Sequence, residues 1–480
     1  MGDAGRENCD DDRRDVNCDI KVAAYTLGCK VNLCDTEGIL ELFAARGYEI
    51  VDFEDFAHIY VINTCTVTGL GDKKSRQMIR RARAKNPGAV VVACGCYAQV
   101  MPEELGRIGG VNLIVGTKNR SGIVDAVEGI IKDIAAGDTP SAVSAVRPFD
   151  AADAFEELRG DCHDPGGPRK PPANRTRAFL KVQDGCENRC SYCVIPYARG
   201  GVRSRAEESA LSAARGFEAR GYKEIVVTGI HLASYGKDNK TPNRDGSGTG
   251  PHPLIRLLTK LHELEGIRRI RLGSLEPLVA DEAFIAGLSA LPKVCPHFHL
   301  SLQSGCDRVL KRMNRRYTAD QYAKAVRVIR SAYEAAAITT DIIVGFPGET
   351  EEDFLETCRF VEGIKPARVH VFPYSRRRGT PASLFPDQLP ARVKNERAAR
   401  MIKIGAELER AFLRKHAGAR VSVLFEELHG GFFEGYTGDY IKVKLPRDER
   451  GFDMTNLDMV NEIAECTVVD MGDGFVLASL

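Results

Sequence analysis

Six short apolar runs follow one another between residues 177 and 374: RAFLKVQD, KEIVVTG, RRIRLGS, HFHLSLQ, ITTDIIVGF and ARVHVFPY. Each is separated from the next by a stretch long enough for at least one helix. Strand-length runs alternating with helices admit few architectures, because parallel strands need crossovers and those crossovers are right-handed. Six consecutive strand–helix steps predict an open, partial (βα)6 barrel, whose active site lies at the carboxyl ends of its strands.

A shorter array of the same kind precedes it. IKVAAYTL, AHIYVINT, AVVVACG and NLIVG read as strands, separated by DTEGILELFAARG, DKKSRQMIRRARAKNPG and EELGRI as helices. This pattern predicts an α/β, doubly wound parallel sheet. After Pro390 a long charged helix leads to short strands with glycine-rich turns, ARVSVLFEE, GFFEGY, YIKVKL and ECTVVD, the pattern of a small β-barrel. The predicted organisation is a polar extension at 1–19, a first domain at 20–134, a Pro/Gly-rich linker at 135–175, the partial barrel with its helix at 176–415, and the small barrel at 416–480. TPNRDGSGTGPHP reads as an exposed loop inside the second domain.

A chain of 480 residues supports several cores, and a formal charge of +1 confines any attraction to nucleic acid to local patches. No run of 18 apolar residues and no apolar leader stretch is present, so a soluble, cytoplasmic protein without membrane contact is expected. In a reducing compartment, fifteen cysteines point to metal ligands or thiol chemistry rather than disulfides.

KVQDGCENRCSYC places Cys186, Cys190 and Cys193 on one loop after the first strand of the barrel. That spacing suits three corners of an iron-sulfur cubane and leaves the fourth iron open, as a reactive site requires. A zinc site completed by Asp184 or a histidine is the plainer alternative. In the first domain, Cys29, Cys65 and Cys96 each follow a strand, in TLGC, INTC and ACGC. Parallel strands end on one edge, so these three can converge on a second site, although spacing alone leaves chance placement open. Cys94 still lies within its strand and reads as packing, as does Cys34. Cys9, Cys18, Cys162, Cys295, Cys306, Cys358 and Cys466 read as buried or surface thiols.

The segments TLGCKVN, VINTCTVT, GDKKSRQMIRRA, GCYAQ, QDGCENRCSYCVIPYARG, HLSLQSGCDRVLKRMNRRYT and DIIVGFPGET together resemble the radical S-adenosylmethionine (SAM) methylthiotransferases. The resemblance runs from about residue 20 to the C-terminus, outside the linker and the 237–250 loop. Among the family's branches, the segment around Cys29 and Cys65 is most similar to the bacterial enzymes acting on threonylcarbamoyladenosine in tRNA. It implies two 4Fe-4S clusters, on Cys186, Cys190 and Cys193 and on Cys29, Cys65 and Cys96, with two SAM molecules used per turnover. One SAM, cleaved by a single electron, gives the radical that activates carbon two of the adenine; the second cluster supplies sulfur and the other SAM the methyl group. It also implies a one-electron reductant such as flavodoxin or ferredoxin, and an RNA-binding TRAM domain at the C-terminus. Sister branches act on isopentenyladenosine in tRNA or on a ribosomal protein, and a non-catalytic iron-sulfur RNA scaffold is the alternative of another class.

Candidate SAM contacts fall at strand ends: Thr228 and Gly229, Ser274 and Glu276, and Gly345, Gly348 and Glu349, while Gln303 and Ser304 point by position toward the barrel mouth, to substrate or SAM. Turn geometry and helix capping are the competing reading for these positions. For RNA, the TRAM-like segment is a poor electrostatic match, since residues 416–480 carry five Lys and Arg against twelve Asp and Glu, a formal charge of −7. The candidates lie elsewhere. Lys73, Lys74, Arg76, Arg80, Arg81, Arg83 and Lys85 stand on one helix, Arg199, Arg203 and Arg205 follow the cluster loop, and Lys311, Arg312, Arg315, Arg316 and Arg376 to Arg378 form further groups. The anticodon arm of tRNA is the expected partner of these cations.

Overall fold

The structure, a computed structural model, describes residues 19–138, 142–150, 152–158, 175–238, 251–447 and 459–480. The N-terminal extension with Cys9 and Cys18, the stretch 159–174 with Cys162, and most of the loop read at TPNRDGSGTGPHP lie outside the described residues. The chain forms two compact units. The first holds the described residues up to 158 together with Val194–Gly200, and the second holds the rest.

In the first unit a six-stranded sheet comprises β1 (Lys21–Thr26), β2 (Glu49–Val51), β3 (Ile59–Thr64), β4 (Val90–Gly95), β5 (Leu113–Val115) and β6 (Val143–Ser144). Its order is β2-β1-β3-β4-β5-β6 and every pairing is parallel. Alternate residues feed two cores. Ala23, Tyr60, Ile62, Val91 and Ala93 pack on one face with Met78, Ile79 and Ala82 of the helix Gly69–Lys85. Val22, Ile59, Val61, Val90 and Val92 pack on the other with Ile39 and Phe43 of the helix Lys30–Ala45. Burial on both faces explains why β3 and β4 read as unbroken apolar runs.

Two elements differ from the sequence reading. β2 and β6 are short edge strands, and β6 falls inside the segment read as linker. Ala145 N–H donates to Ile114 O at 2.8 Å, Glu156 pairs with Arg120, and Leu158 packs where a Cβ on Gly38 would come within 2.6 Å of it. The first domain therefore continues past residue 134 to at least residue 158.

The second unit opens with β7 (Arg177–Asp184), β8 (Arg203–Ser204), β9 (Glu224–Gly229) and β10 (Arg269–Leu272), followed by β11 (His297–His299), β12 (Ala337–Val344) and β13 (Arg368–Pro373). β7, β9 and β10 are parallel neighbours, as are β11, β12 and β13. Single parallel bridges, Ile270 to Val294 and Leu275 to Leu300, join the two sets. Six strands thus run in sequence order as a partial barrel. Short antiparallel β8 pairs with β7, and the helix Ala391–Arg414 covers β13, where Gly405 admits Val369.

A closed five-stranded barrel follows: β14 (Arg420–His429), β15 (Phe432–Thr437), β16 (Lys442–Pro446), β17 (Ile463–Met471) and β18 (Val476–Ser479). It is fastened to side chains near the amino ends of the partial-barrel strands. Arg177 donates to Tyr440 Oη at 3.0 Å and pairs with Glu426, and Arg269 donates to Ser422 O and Tyr436 O. Arg271 reaches Thr437 O and Gly438 O while holding Glu224 by two hydrogen bonds, both side chains being 1% exposed. Burial alone would raise the Glu224 carboxyl, but Arg271, Arg177 and Arg269 outweigh it and hold it below its usual range. This attachment leaves the carboxyl ends of the partial-barrel strands to the cluster loop.

Candidate metal centres and cofactor site

In the first unit, β1, β3 and β4 are neighbours and end on one edge. Cys29 caps the helix Lys30–Ala45 that leaves β1, Cys65 follows β3 directly, and Cys96 opens the helix that leaves β4. Glycine makes the approach possible. Gly28 has φ +104, and a Cβ there would lie 3.0 Å from Cys65 Sγ; Gly95 has φ +93, and a Cβ there would strike Asn63 Oδ1 at 2.2 Å. Burial, with smaller contributions from Cys96 and Cys29, pushes the Cys65 thiol up to about 12, so an electropositive partner is needed to hold it as thiolate. Three sulfurs on one edge with glycine cradles fit a cluster taken by three cysteines. Cys94 is fully buried within β4, where burial raises its thiol to about 12, and it packs in the apolar core.

In the second unit the loop carrying Cys186, Cys190 and Cys193 leaves β7 through Gly185, with φ +76, and Arg189, with φ +47. Backbone bonds tie it to the turn after the helix Asp307–Arg312: Ser191 N–H donates to Met313 O at 2.9 Å, Ser191 Oγ to Arg312 O at 2.8 Å, and Asn314 Nδ2 to Arg189 O at 2.9 Å. Arg315 Nη1 donates to Cys190 Sγ at 3.2 Å and also approaches Glu276. Asp184, one of the two ways a zinc site could be completed, is already held by Lys181 at 2.6 Å and by Gly185 N–H. The three thiols with a cationic donor fit an iron-sulfur cluster held by three cysteines.

Glu276 lies beside this loop. It accepts from Asn188 Nδ2 at 3.0 Å, between the first two cysteines, and contacts His231 Nε2 at 2.9 Å. Burial would raise its carboxyl, but His231 and Arg315 outweigh that and hold it below the usual range. A cleft of about 660 Å³ opens here, lined among others by Asn188, His231, Lys237, Glu276 and Arg316. Asn188 and His231 escaped the sequence reading, and Arg315 was read only as a surface cation; the position of Asn188 inside the cysteine loop was the one available signal.

The other candidate SAM contacts divide. Thr228 is buried, and Gly229 gives β9 room against β7, where a Cβ would meet Gln183 at 2.9 Å. Ser274 is exposed beyond β10. Gln303 adopts φ +71 and pairs its backbone with Asp341 and Ile343. Ser304 does not face the barrel mouth: it is buried, bonded to Thr357 and to Cys306 N–H. Gly345 and Gly348 have φ +71 and +74, and Gly345 N–H donates to Glu349, whose carboxylate is held by Arg397 at 2.7 Å. Glu349 thus braces the turn.

The RNA candidates also divide. Arg203 and Arg205 are 7% and 6% exposed, and Arg199 is wholly buried against Asn32 and Asp35, so none presents charge to solvent. Arg76 pairs with Tyr97 and Glu104, Arg81 and Lys85 with Glu54, and Arg83 donates to Gly110 O and Asn112. Lys73, Lys74 and Arg80 are exposed on the helix Gly69–Lys85 and pair with no acid among the described residues.

A family model described as the Radical SAM superfamily matches residues 180–361, and one described as Uncharacterized protein family UPF0004 matches residues 21–116. Threonylcarbamoyladenosine tRNA methylthiotransferase MtaB of Bacillus subtilis (strain 168) is 40% identical over 459 residues, covering 94% of this chain and 94% of its own. The protein of the same name from Aquifex aeolicus (strain VF5) is 40% identical over 421 residues, 87% of this chain and 95% of its own. Among solved structures, the radical SAM methyltransferase TsrM from Kitasatospora setae, with tryptophan and a SAM analogue bound, matches with a TM-score of 0.51 at 17% identity over 76% of this chain and 75% of that one, a likeness of fold. Identity of this extent over most of both chains makes the chain a member of the radical SAM methylthiotransferase family.

Proposed function

We propose that this enzyme methylthiolates carbon two of threonylcarbamoyladenosine next to the anticodon of tRNA. The carrying observation is the 40% identity to the Bacillus subtilis enzyme of that name over 94% of both chains. It is supported by two separate three-cysteine sets, each at the carboxyl ends of parallel strands. Cys186, Cys190 and Cys193 would hold the cluster that binds SAM, and Cys29, Cys65 and Cys96 a second one. Bound there, the first 4Fe-4S cluster supplies the electron that cleaves SAM and the second supplies sulfur.

The chain's own side chains bind and orient. Asn188, Glu276 and Arg315 fix the cysteine loop and offer a carboxylate and a guanidinium to the amino and carboxylate groups of SAM. Lys73, Lys74 and Arg80 form the phosphate-facing surface for the anticodon arm. A small one-electron reductant such as flavodoxin or ferredoxin feeds the first cluster. No helix among the described residues is long and apolar enough to cross a membrane, and we place the enzyme in the cytoplasm with its tRNA.

The test is an anaerobic assay of the reconstituted full chain with SAM, a chemical reductant and threonylcarbamoyl-modified tRNA. Release of 5′-deoxyadenosine together with the methylthiolated nucleoside supports the reading. Activity on isopentenyladenosine tRNA alone would move the enzyme to the sister branch, and no SAM cleavage at all would make it a scaffold.

A further inference from the structure

The side chain of Asn32, on the helix Lys30–Ala45, reaches all three strand ends that carry the cysteines of the first unit. It is 1% exposed. Its Nδ2 donates to Leu27 O at 2.7 Å, one glycine ahead of Cys29, and to Thr64 O at 3.1 Å, the residue before Cys65. Its Oδ1 lies 3.8 Å from Cys96 Sγ and accepts from Arg199 Nη2 at 2.5 Å. Asn63 Nδ2 binds the Asn32 carbonyl at 2.8 Å and fixes the helix start against β3. Arg199 stands six residues after Cys193 in sequence, yet it is built into the first unit. Its guanidinium also meets Asp35 Oδ2 at 2.8 Å, which Arg120 shares at 2.5 Å.

We infer that Asn32 is a positioning residue for the three-cysteine site of the first unit, and that Arg199, on the segment leaving the cluster loop, locks it in place. The inference rests on the reading that Cys29, Cys65 and Cys96 hold a second cluster. A buried amide needs partners anywhere, but this one spends both donors on carbonyls one or two residues upstream of two ligands and turns its acceptor to the third. Metal binding takes the proton from the Cys96 thiol, which then has no hydrogen to offer Oδ1. Arg199 is the donor that keeps that buried oxygen satisfied in the loaded state, and an unsatisfied one would loosen the strand ends. Fixing ligands through such outer hydrogen bonds is the ordinary way a protein sets metal affinity, with losses of about 10–100-fold when they are removed.

The test uses the full chain, reconstituted anaerobically with iron and sulfide, as wild type, Asn32→Ala, Arg199→Lys and Arg199→Met. Iron per chain and Mössbauer spectra are read first, then SAM cleavage and methylthiolated tRNA. Two cubanes give about eight irons for wild type. Asn32→Ala is expected to hold about four, with one cubane signal, and to lose methylthiolation at least about tenfold while still releasing 5′-deoxyadenosine. Arg199→Lys, which keeps a charged donor, should retain the second cluster, and Arg199→Met should lose it; this pair decides the matter if Asn32→Ala does not fold. About eight irons with the wild-type spectrum in Asn32→Ala or in Arg199→Met overturns the inference alone. Wild type that itself stops at about four overturns the two-cluster reading, and the inference with it.

Discussion

Replacing Lys73, Lys74 and Arg80 together by alanine removes the three cations of the helix Gly69–Lys85 that no acid in the described chain holds. If each contacts one phosphate, the slope of log affinity against log salt falls by about 0.9 per contact, or about 2.7 in all. At about 0.15 M salt, the same counterion term weakens binding by roughly two orders of magnitude. Folding should be unaffected, because exposed substitutions away from caps and partners stay within about 0.5 kcal/mol. The assay is fluorescence anisotropy of a labelled anticodon stem–loop titrated at several salt concentrations. Arg83→Ala is the contrasting variant, since Arg83 is spent on Gly110 O and Asn112 and should perturb stability rather than salt slope. An unchanged slope and affinity in the triple variant would refute the placement of tRNA on this helix.

Glu224→Gln leaves Arg271 buried without its charge partner and should cost about 3–5 kcal/mol, read by chemical denaturation, whereas an exposed pair such as Arg392 with Glu396 should cost under about 1 kcal/mol. His416 sits 2.9 Å from Asp439 at the base of the small barrel. Burial would lower this imidazole, but Asp439 outweighs it and raises its pKa, so the pair's stabilisation is full below about 6.5 and fades as pH rises through the raised value. The Asp439 carboxyl is held low: burial would raise it, but His416 and Thr437 outweigh that, so its contribution is lost only in acid, below about 3.9. Thermal unfolding should therefore show wild type losing more stability than Asp439→Asn between about pH 6 and pH 8.5; parallel losses would contradict the pairing. Cys94→Ala should keep the second cluster's absorbance and Cys96→Ala should lose it, and the reverse outcome would exchange the two assignments.

The small barrel is not a detachable RNA module. Arg177, Arg269 and Arg271, near the amino ends of β7 and β10, donate hydrogen bonds to Tyr440 Oη, Tyr436 O, Ser422 O, Thr437 O and Gly438 O. Deleting residues 416–480 would strip these buried cations of their acceptors. Loss of tRNA binding in such a truncation would report damage to the partial barrel, so substitution on the cationic helix is the cleaner probe.

Much of this architecture was legible because burial writes itself into strands. β3 and β4 are apolar throughout since both faces are covered, and the alternation of strand and helix fixed parallel pairing. The cysteines were legible from their place just beyond strand ends. β2 and β6 were not, because strands of three and two residues at a sheet edge carry no periodicity, and their side chains are mostly exposed. The cations were misread for a different reason. Arg199 finds Asp35 at a sequence separation of 164, and Arg315 finds Cys190 at 125, so nothing local distinguishes them from solvated charges. The partners of Ser304 and Glu349 are hidden likewise, since Thr357 and Arg397 reach them from later helices.

The central claim is the identity of the modified nucleoside. Mass spectrometry of nucleosides from the tRNA of cells lacking this gene should show threonylcarbamoyladenosine without its 2-methylthio form, restored by the wild-type gene and not by one encoding Cys186→Ala. An undiminished 2-methylthio-threonylcarbamoyladenosine signal in those cells would contradict it.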